Sequence, residues 1–182
     1  MISRIPLVRA DQLSATGLEF FQRRGGLNVF RLLAGAPRVF DGWTRMVDAV
    51  LDSATFSARL RELVILRIAQ LQRSRYELAQ HADVARGVGV TDAEIAAVTD
   101  QVLAEAAAQG LDQLETTVLA FVTELCTTTT VSDETFTATQ ALLGTAALTE
   151  LLLLISLYYG LALVLNAADP PVDETHRLQA AR

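Results

Sequence analysis

Residues 61–89 read RELVILRIAQLQRSRYELAQHADVARGVG, and this stretch decides the fold because it predicts two consecutive helices joined by a tight polar turn near Arg73. The first half is apolar almost all round, which is typical of a buried central helix. In the second half, a step of about 100° per residue puts Ser74, Glu77 and His81 on a stripe that is otherwise apolar. Three polar groups are therefore expected on the face that packs against the core.

The same hairpin brings a second carboxylate to this stripe. If the helices fold back antiparallel, Glu62 lies level with residues 81–84 and can face His81. A buried carboxylate must find a partner, and two carboxylates sharing one imidazole should differ in proton affinity, as an acid and a base do. The pattern predicts catalytic residues Glu62, Glu77 and His81, and equally a buried pair that only ties the hairpin together.

Composition sets the class of protein. The chain has 182 residues, which suits a single domain (1–182) with a core of about 28–166, an N-terminal arm 1–14 and a C-terminal tail 169–182. Hydrophobic residues make up 51% and the net charge is -6, without a basic patch, so a globular protein that binds no nucleic acid is expected.

The cysteine content and the N-terminal sequence indicate a cytoplasmic protein. The single cysteine, Cys126, excludes an intrachain disulfide and is expected to be a buried structural thiol. The first residues lack the charged and then apolar arrangement of a signal peptide.

The rest of the chain predicts further helices and no strand, since no segment alternates with period two for long enough. Residues 151–168 carry no charge, but Ser156, Tyr158 and Asn166 interrupt the run, so we expect a helix buried in the core or in a subunit interface and no membrane span. The tail from residue 169 is polar and expected to fray, with a solvated His176.

These motifs resemble the carboxymuconolactone decarboxylase family, which includes the alkylhydroperoxidase D-like proteins. The resemblance covers roughly residues 28–166, and its most specific parts are RELVILRIAQL, YELAQH, ARGVGVTDAEIAAV and LLLLISLYYGLALVLNA. It implies an all-α bundle of repeated helix pairs that assembles as a homo-oligomer, commonly a trimer or a hexamer.

Redox members of that family carry a glutamate, a Cys-x-x-Cys pair and a histidine. Laid on this sequence, the glutamate matches Glu62, the cysteines fall on Ser74 and Glu77, and the histidine matches His81. Because serine and glutamate cannot form sulfenate or disulfide, the peroxidase reaction is not expected here.

The decarboxylase branch implies acid–base chemistry on a small carboxylate or lactone, without a metal or organic cofactor. By this resemblance His81 would donate the proton while Glu77 or Glu62 relays it. The substrate-binding candidates are Ser74, Arg67 and Tyr76, with Arg67 as a possible partner for a substrate carboxylate.

Two alternatives stay open from the sequence. One is a non-catalytic oligomeric binding protein in which the Glu62–His81 pair is structural. The other is an antioxidant that uses Cys126 alone, which requires an exposed thiol of lowered pKa. A metal site is not expected, because no second histidine stands at helical spacing from His81.

Overall fold

A computed structural model describes residues 3–100 and 109–173, and within these ranges the protein is all-α, as predicted, with no strand. In the described ranges a short 3-10 helix, Ala10–Gln12, is followed by these α-helices: α1 Ala15–Arg24, α2 Asn28–Leu33, α3 Pro37–Leu51, α4 Ala58–Leu71, α5 Arg75–Gly87, α6 Asp92–Val98, α7 Gln113–Thr128 and α8 Asp133–Ala168.

Helix α4 is the centre of the bundle. It contacts α5, α6, α7 and α8, and its side chains from Leu63 to Ala69 are almost completely excluded from solvent. This agrees with a helix that is apolar on every face. The turn to α5 places Arg73 in the left-handed region at φ 54°, which reverses the chain within three residues and makes α4 and α5 an antiparallel pair.

Two capping boxes anchor the following helices to the start of α4. Thr91 caps α6 with Glu94 at its third position, and Asp112 caps α7 with Glu115 at the equivalent position. Arg59 donates to both glutamates, at 2.7 Å from Nη2 to Glu94 Oε1 and 2.7 Å from Nε to Glu115 Oε1. One cation therefore ties three helices together.

Helix α8 is the long apolar helix. It is interrupted at Gly144, whose φ of 74° and ψ of 167° are not helical. By length and composition alone α8 is apolar enough to cross a membrane, but one face is buried against α4 and α7, as in the core helix of a globular protein. Its other face leaves Leu152, Leu153, Leu163 and Val164 exposed.

The chain beyond α8 does not fray where it is described. The side chain of Asn28 donates to the carbonyl of Pro171, and both oxygens of Asp173 accept the backbone N–H of Asn28. The expectation of a frayed tail is therefore wrong for residues 169–173, because backbone and side-chain donors of α2 and α5 hold them. His176 lies outside the described residues.

Candidate functional site

The central hairpin brings Glu62 and His81 together. His81 Nδ1 lies 2.7 Å from Glu62 Oε2, and both side chains are at least nine-tenths buried. The predicted contact across the antiparallel pair is confirmed, whereas its catalytic role stays a prediction. A carboxylate at Nδ1 fixes the ring orientation and leaves Nε2 as the nitrogen for a ligand.

Glu77 lies one turn before His81 and is 2% exposed. Neither of its carboxyl oxygens has a hydrogen-bond partner among the described residues. Burial raises its pKa from 4.5 to about 7, against the opposing effects of the Ser74 hydroxyl and His81. Ser74 lies close enough to favour the ionised form, yet its geometry is not that of a hydrogen bond. Glu77 is thus a buried carboxyl that can exchange a proton near neutral pH.

A cavity opens beside these two residues. The cavity and its mouth together hold about 450 Å³ of space not occupied by protein atoms. Glu77 and His81 supply acid–base groups to a wall that is otherwise mostly aliphatic and aromatic, formed by Leu27, Val29, Phe30, Trp43, Val47, Leu51, Leu157, Tyr158, Leu161 and Leu165, with Tyr76 and Gln80 at one side. A small molecule would meet an apolar surface with few polar groups, the usual character of a ligand pocket.

Of the three predicted substrate-binding residues, Tyr76 lines the cavity and Ser74 does not. The Tyr76 hydroxyl donates to Asp173 and accepts the N–H of Val29, so its ring faces the cavity while its oxygen is already engaged. Ser74 is completely buried beside Glu77 and is absent from the cavity wall. It can act on a ligand only through Glu77.

Arg67 is not brought to the cavity. Its Nε donates to Thr123 at 2.9 Å and its Nη1 to the carbonyls of Val98 and Asp100, at 3.1 and 2.5 Å. The guanidinium thus faces α6 and α7 on the opposite side of α4, because helical periodicity turns it away from Glu62. The prediction that Arg67 pairs a substrate carboxylate therefore has no support from its position.

Other residues at the site were not identified from the sequence. Tyr158 of α8 lies edge-on to His81, with ring centroids 5.2 Å apart, and lines the cavity. Gln80 of α5 is buried, and its Nε2 donates to the Asp173 carbonyl after α8. Trp43 packs on Phe40 and also forms part of the wall. Of these positions, only Tyr158 had a signal in the sequence, because it interrupts the apolar run of residues 151–168.

Cys126 does not have the properties of a reactive thiol. It is 8% exposed, and burial raises its pKa to about 11 despite the opposing charge of Arg67. The antioxidant alternative that depends on Cys126 thus lacks the exposed thiolate it requires. No group of His, Cys, Asp and Glu side chains suited to a metal ion occurs within residues 3–100 and 109–173.

The fold and site define a class of protein, an all-α bundle with a buried Glu–His pair and a second buried glutamate beside it. The profile of the carboxymuconolactone decarboxylase family matches residues 37–124, which contain α3 to α6 and most of α7. Residues 37–124 of the chain are thus a match to this family. No curated protein matches the sequence.

Solved structures share the fold at low sequence identity. One is the alkylhydroperoxidase AhpD core of a peroxidase-related protein from Ralstonia eutropha JMP134, with a TM-score of 0.81 and 17% identity over 96% of this chain and 94% of that one. Another is the debrominase Bmp8 in complex with 2,3,4-tribromopyrrole, with a TM-score of 0.76 and 16% identity over 94% and 91% of the two chains. The bundle is therefore an AhpD-like fold.

Proposed function

We propose that this protein is a cofactor-independent enzyme that performs acid–base chemistry (decarboxylation, isomerisation or hydrolysis) on a small carboxylate or lactone. The observation that carries the proposal is the unpartnered carboxyl of Glu77 beside His81 on the wall of an apolar cavity. A buried carboxyl without a partner costs free energy, and such a cost is typical of groups kept for function. The complex of Bmp8 with tribromopyrrole supports a small ligand in this fold.

The proposal gives each group a role. Glu62 holds His81 through Nδ1 and stabilises the imidazolium that forms when Nε2 takes a proton. Glu77 titrates near neutral pH, so it can donate a proton to the substrate or accept one from it. The two groups together can remove a proton from one atom of a substrate and return it to another. Tyr158 packs on the His81 ring and limits its rotation.

A second candidate function is non-catalytic binding of a small molecule by an oligomer. The buried Glu62–His81 hydrogen bond also joins α4 to α5, so the pair has a structural use whether or not a reaction takes place. A thiol peroxidase is disfavoured, because Ser74 and Glu77 stand in the cysteine positions and Cys126 is buried.

The proposal is tested with a ligand screen followed by a proton-exchange assay. The screen measures the thermal shift of wild type and His81→Gln with small carboxylic acids, lactones and hydroperoxides; a ligand at a hundredfold excess over Kd adds about 2.7 kcal/mol to stability. NMR in deuterated water then follows exchange of ligand protons next to the carbonyl. The exposed Asp83→Ala change on the same helix is the matched control.

The expected result is exchange catalysed by wild type and Asp83→Ala and lost in His81→Gln. Ligand binding without exchange in any variant would favour the binding-protein function. If no compound in the screen binds and His81→Gln only lowers the melting temperature, the proposed enzyme is refuted.

We also propose a homo-oligomer, a trimer or hexamer, located in the cytoplasm. The support for assembly is the exposed apolar face of α8, where Leu153 and Leu163 are 50% and 53% exposed. A second copy of the chain would cover this face. Sedimentation of Leu153→Arg should show a smaller particle than wild type, and an unchanged mass would refute this interface.

A further inference from the structure

Among the residues that the structure describes, the cavity wall carries one carboxyl group, that of Glu77, and no arginine. Besides its apolar side chains, it holds only Glu77, His81, Gln80 and the two tyrosines, Tyr76 and Tyr158. An anionic ligand in an apolar site needs a cation or several donors to replace its hydration. His81 is the one wall residue that can become a cation, and its Nδ1 already faces the carboxylate of Glu62.

The buried arginines near the site do not line the cavity. Arg67 donates to groups of α6 and α7, as described above. Arg24 pairs with Asp48 at 2.9 Å and with Asp52 at 2.6 Å. Arg61 lies 3.9 Å from Glu62 Oε1 and does not form part of the wall. None of the three arginines lines the cavity, although the charges of Arg61 and Arg24 act through the wall on Tyr158.

The polar groups that remain are unsuited to an anion. The Tyr76 hydroxyl donates to Asp173, and Gln80 Nε2 donates to the Asp173 carbonyl at 3.3 Å. A ligand carboxylate in the cavity would therefore lie beside Glu77, and the ionised form of Glu77 would repel it. A neutral carbonyl oxygen would instead accept a hydrogen bond from protonated Glu77 or from His81.

We infer that the cavity takes an uncharged, largely apolar small molecule with one carbonyl-type acceptor, such as a lactone, ester or ketone, and excludes carboxylate anions. This inference rests on the proposed function and narrows the proposed substrates to uncharged molecules such as lactones. Decarboxylation is then excluded, since it requires a carboxylate. The reaction that fits is a proton transfer next to the carbonyl, in which the proton taken from carbon by Glu77 or His81 returns to another atom of the same molecule.

Trp43 provides a direct measurement, because it is the one tryptophan of the chain and lines the cavity. Its fluorescence is titrated with matched pairs: methyl cyclohexanecarboxylate against cyclohexanecarboxylate, and δ-valerolactone against the hydroxyvalerate anion. The first pair is similar in shape and differs in charge, and the second compares a neutral ring with its ring-opened anion. Wild type is compared with Glu77→Gln, which removes the negative charge at nearly constant shape. It is also compared with Leu161→Phe, which adds a larger side chain to the cavity wall, keeps Trp43 as the reporter and serves as the control for binding elsewhere.

Above pH 7 we expect the neutral member of each pair to bind wild type at least about tenfold more tightly than its anion. In Glu77→Gln the ratio of the two dissociation constants should be smaller. Equal or tighter binding of the anions, weakened in Leu161→Phe, would overturn this inference and leave the proposed small-molecule site in place. No response of Trp43 to any of the four compounds would overturn both.

Discussion

Replacing Glu77 with glutamine should stabilise the protein at high pH, although the change removes a titrating carboxyl from the proposed site. In the unfolded chain Glu77 ionises near its ordinary pKa of 4.5, whereas burial raises the pKa to about 7 in the fold. A carboxyl whose folded pKa is raised loses stability as pH rises from the lower value to the higher one. The difference of about 2.5 pKa units corresponds to about 3 kcal/mol.

The effect should therefore depend on pH in a defined way. At pH 5 most of the folded molecules keep Glu77 protonated, and the penalty that glutamine relieves is below about 1 kcal/mol. At pH 8 Glu77 is ionised in both states, and the penalty reaches about 3 kcal/mol. Glutamine keeps the shape and has no charge to desolvate, so the gain over wild type should grow by about 2 kcal/mol between these pH values.

The assay is urea unfolding at pH 5, 6, 7 and 8, followed by circular dichroism, for wild type and the variant. Glu94→Gln is the matched control, because its ion pair with Arg59 lowers the pKa of that buried carboxyl to about 2. A carboxyl with a lowered pKa stabilises the fold above pH 4.5, so the free energy of unfolding of Glu94→Gln should be about 1 to 2 kcal/mol lower than that of wild type from pH 5 to pH 8. Parallel pH profiles for wild type and Glu77→Gln would refute the account of Glu77.

Three further predictions follow from the contacts. Tyr76→Phe should lower the free energy of unfolding by about 1 to 2 kcal/mol, because the buried Val29 N–H and Asp173 lose their partner; an unchanged urea midpoint would show that the residues after α8 are not held there. Arg67→Met should lower the free energy of unfolding by about 2 to 4 kcal/mol, because Arg67 donates hydrogen bonds to Thr123 and to backbone carbonyls. Ligand affinity should not change, since these contacts lie outside the cavity, and weaker ligand binding by the folded variant would contradict this position of Arg67. Iodoacetamide should modify native Cys126 far more slowly than the urea-unfolded chain, because burial keeps the thiol protonated, and equal rates would contradict it.

The central hairpin is the part of the site that could be predicted from residues close in sequence. Glu62 and His81 are 19 residues apart, and one turn at Arg73 with helical periodicity is enough to bring them face to face. The burial of Glu77 follows from the same stripe. Helical periodicity and the position of the turn determine these contacts, so they can be predicted without knowing how the other helices pack.

The wrong and missing assignments have a common cause. A guanidinium on an almost wholly apolar helix is directed by whichever neighbour covers it, and only the packing of α6 and α7 shows that Arg67 serves Thr123 and Val98. The polar tail was expected to fray because its composition is that of a solvated segment, yet Asn28 and Tyr76 offer donors that hold Asp173. Neither partner is near in sequence.

The sequence by itself determined the all-α class, the α4–α5 hairpin and the Glu62–His81 contact, since these depend on hydrophobic period, capping and one short turn. The tertiary structure alone decided that Tyr158 packs on His81, that Trp43 and α8 enclose the cavity, and that its wall lacks a cation. The physical reason is that an apolar helix such as α8 can bury several of its faces at similar free energy, and the choice is made only when all the helices pack together.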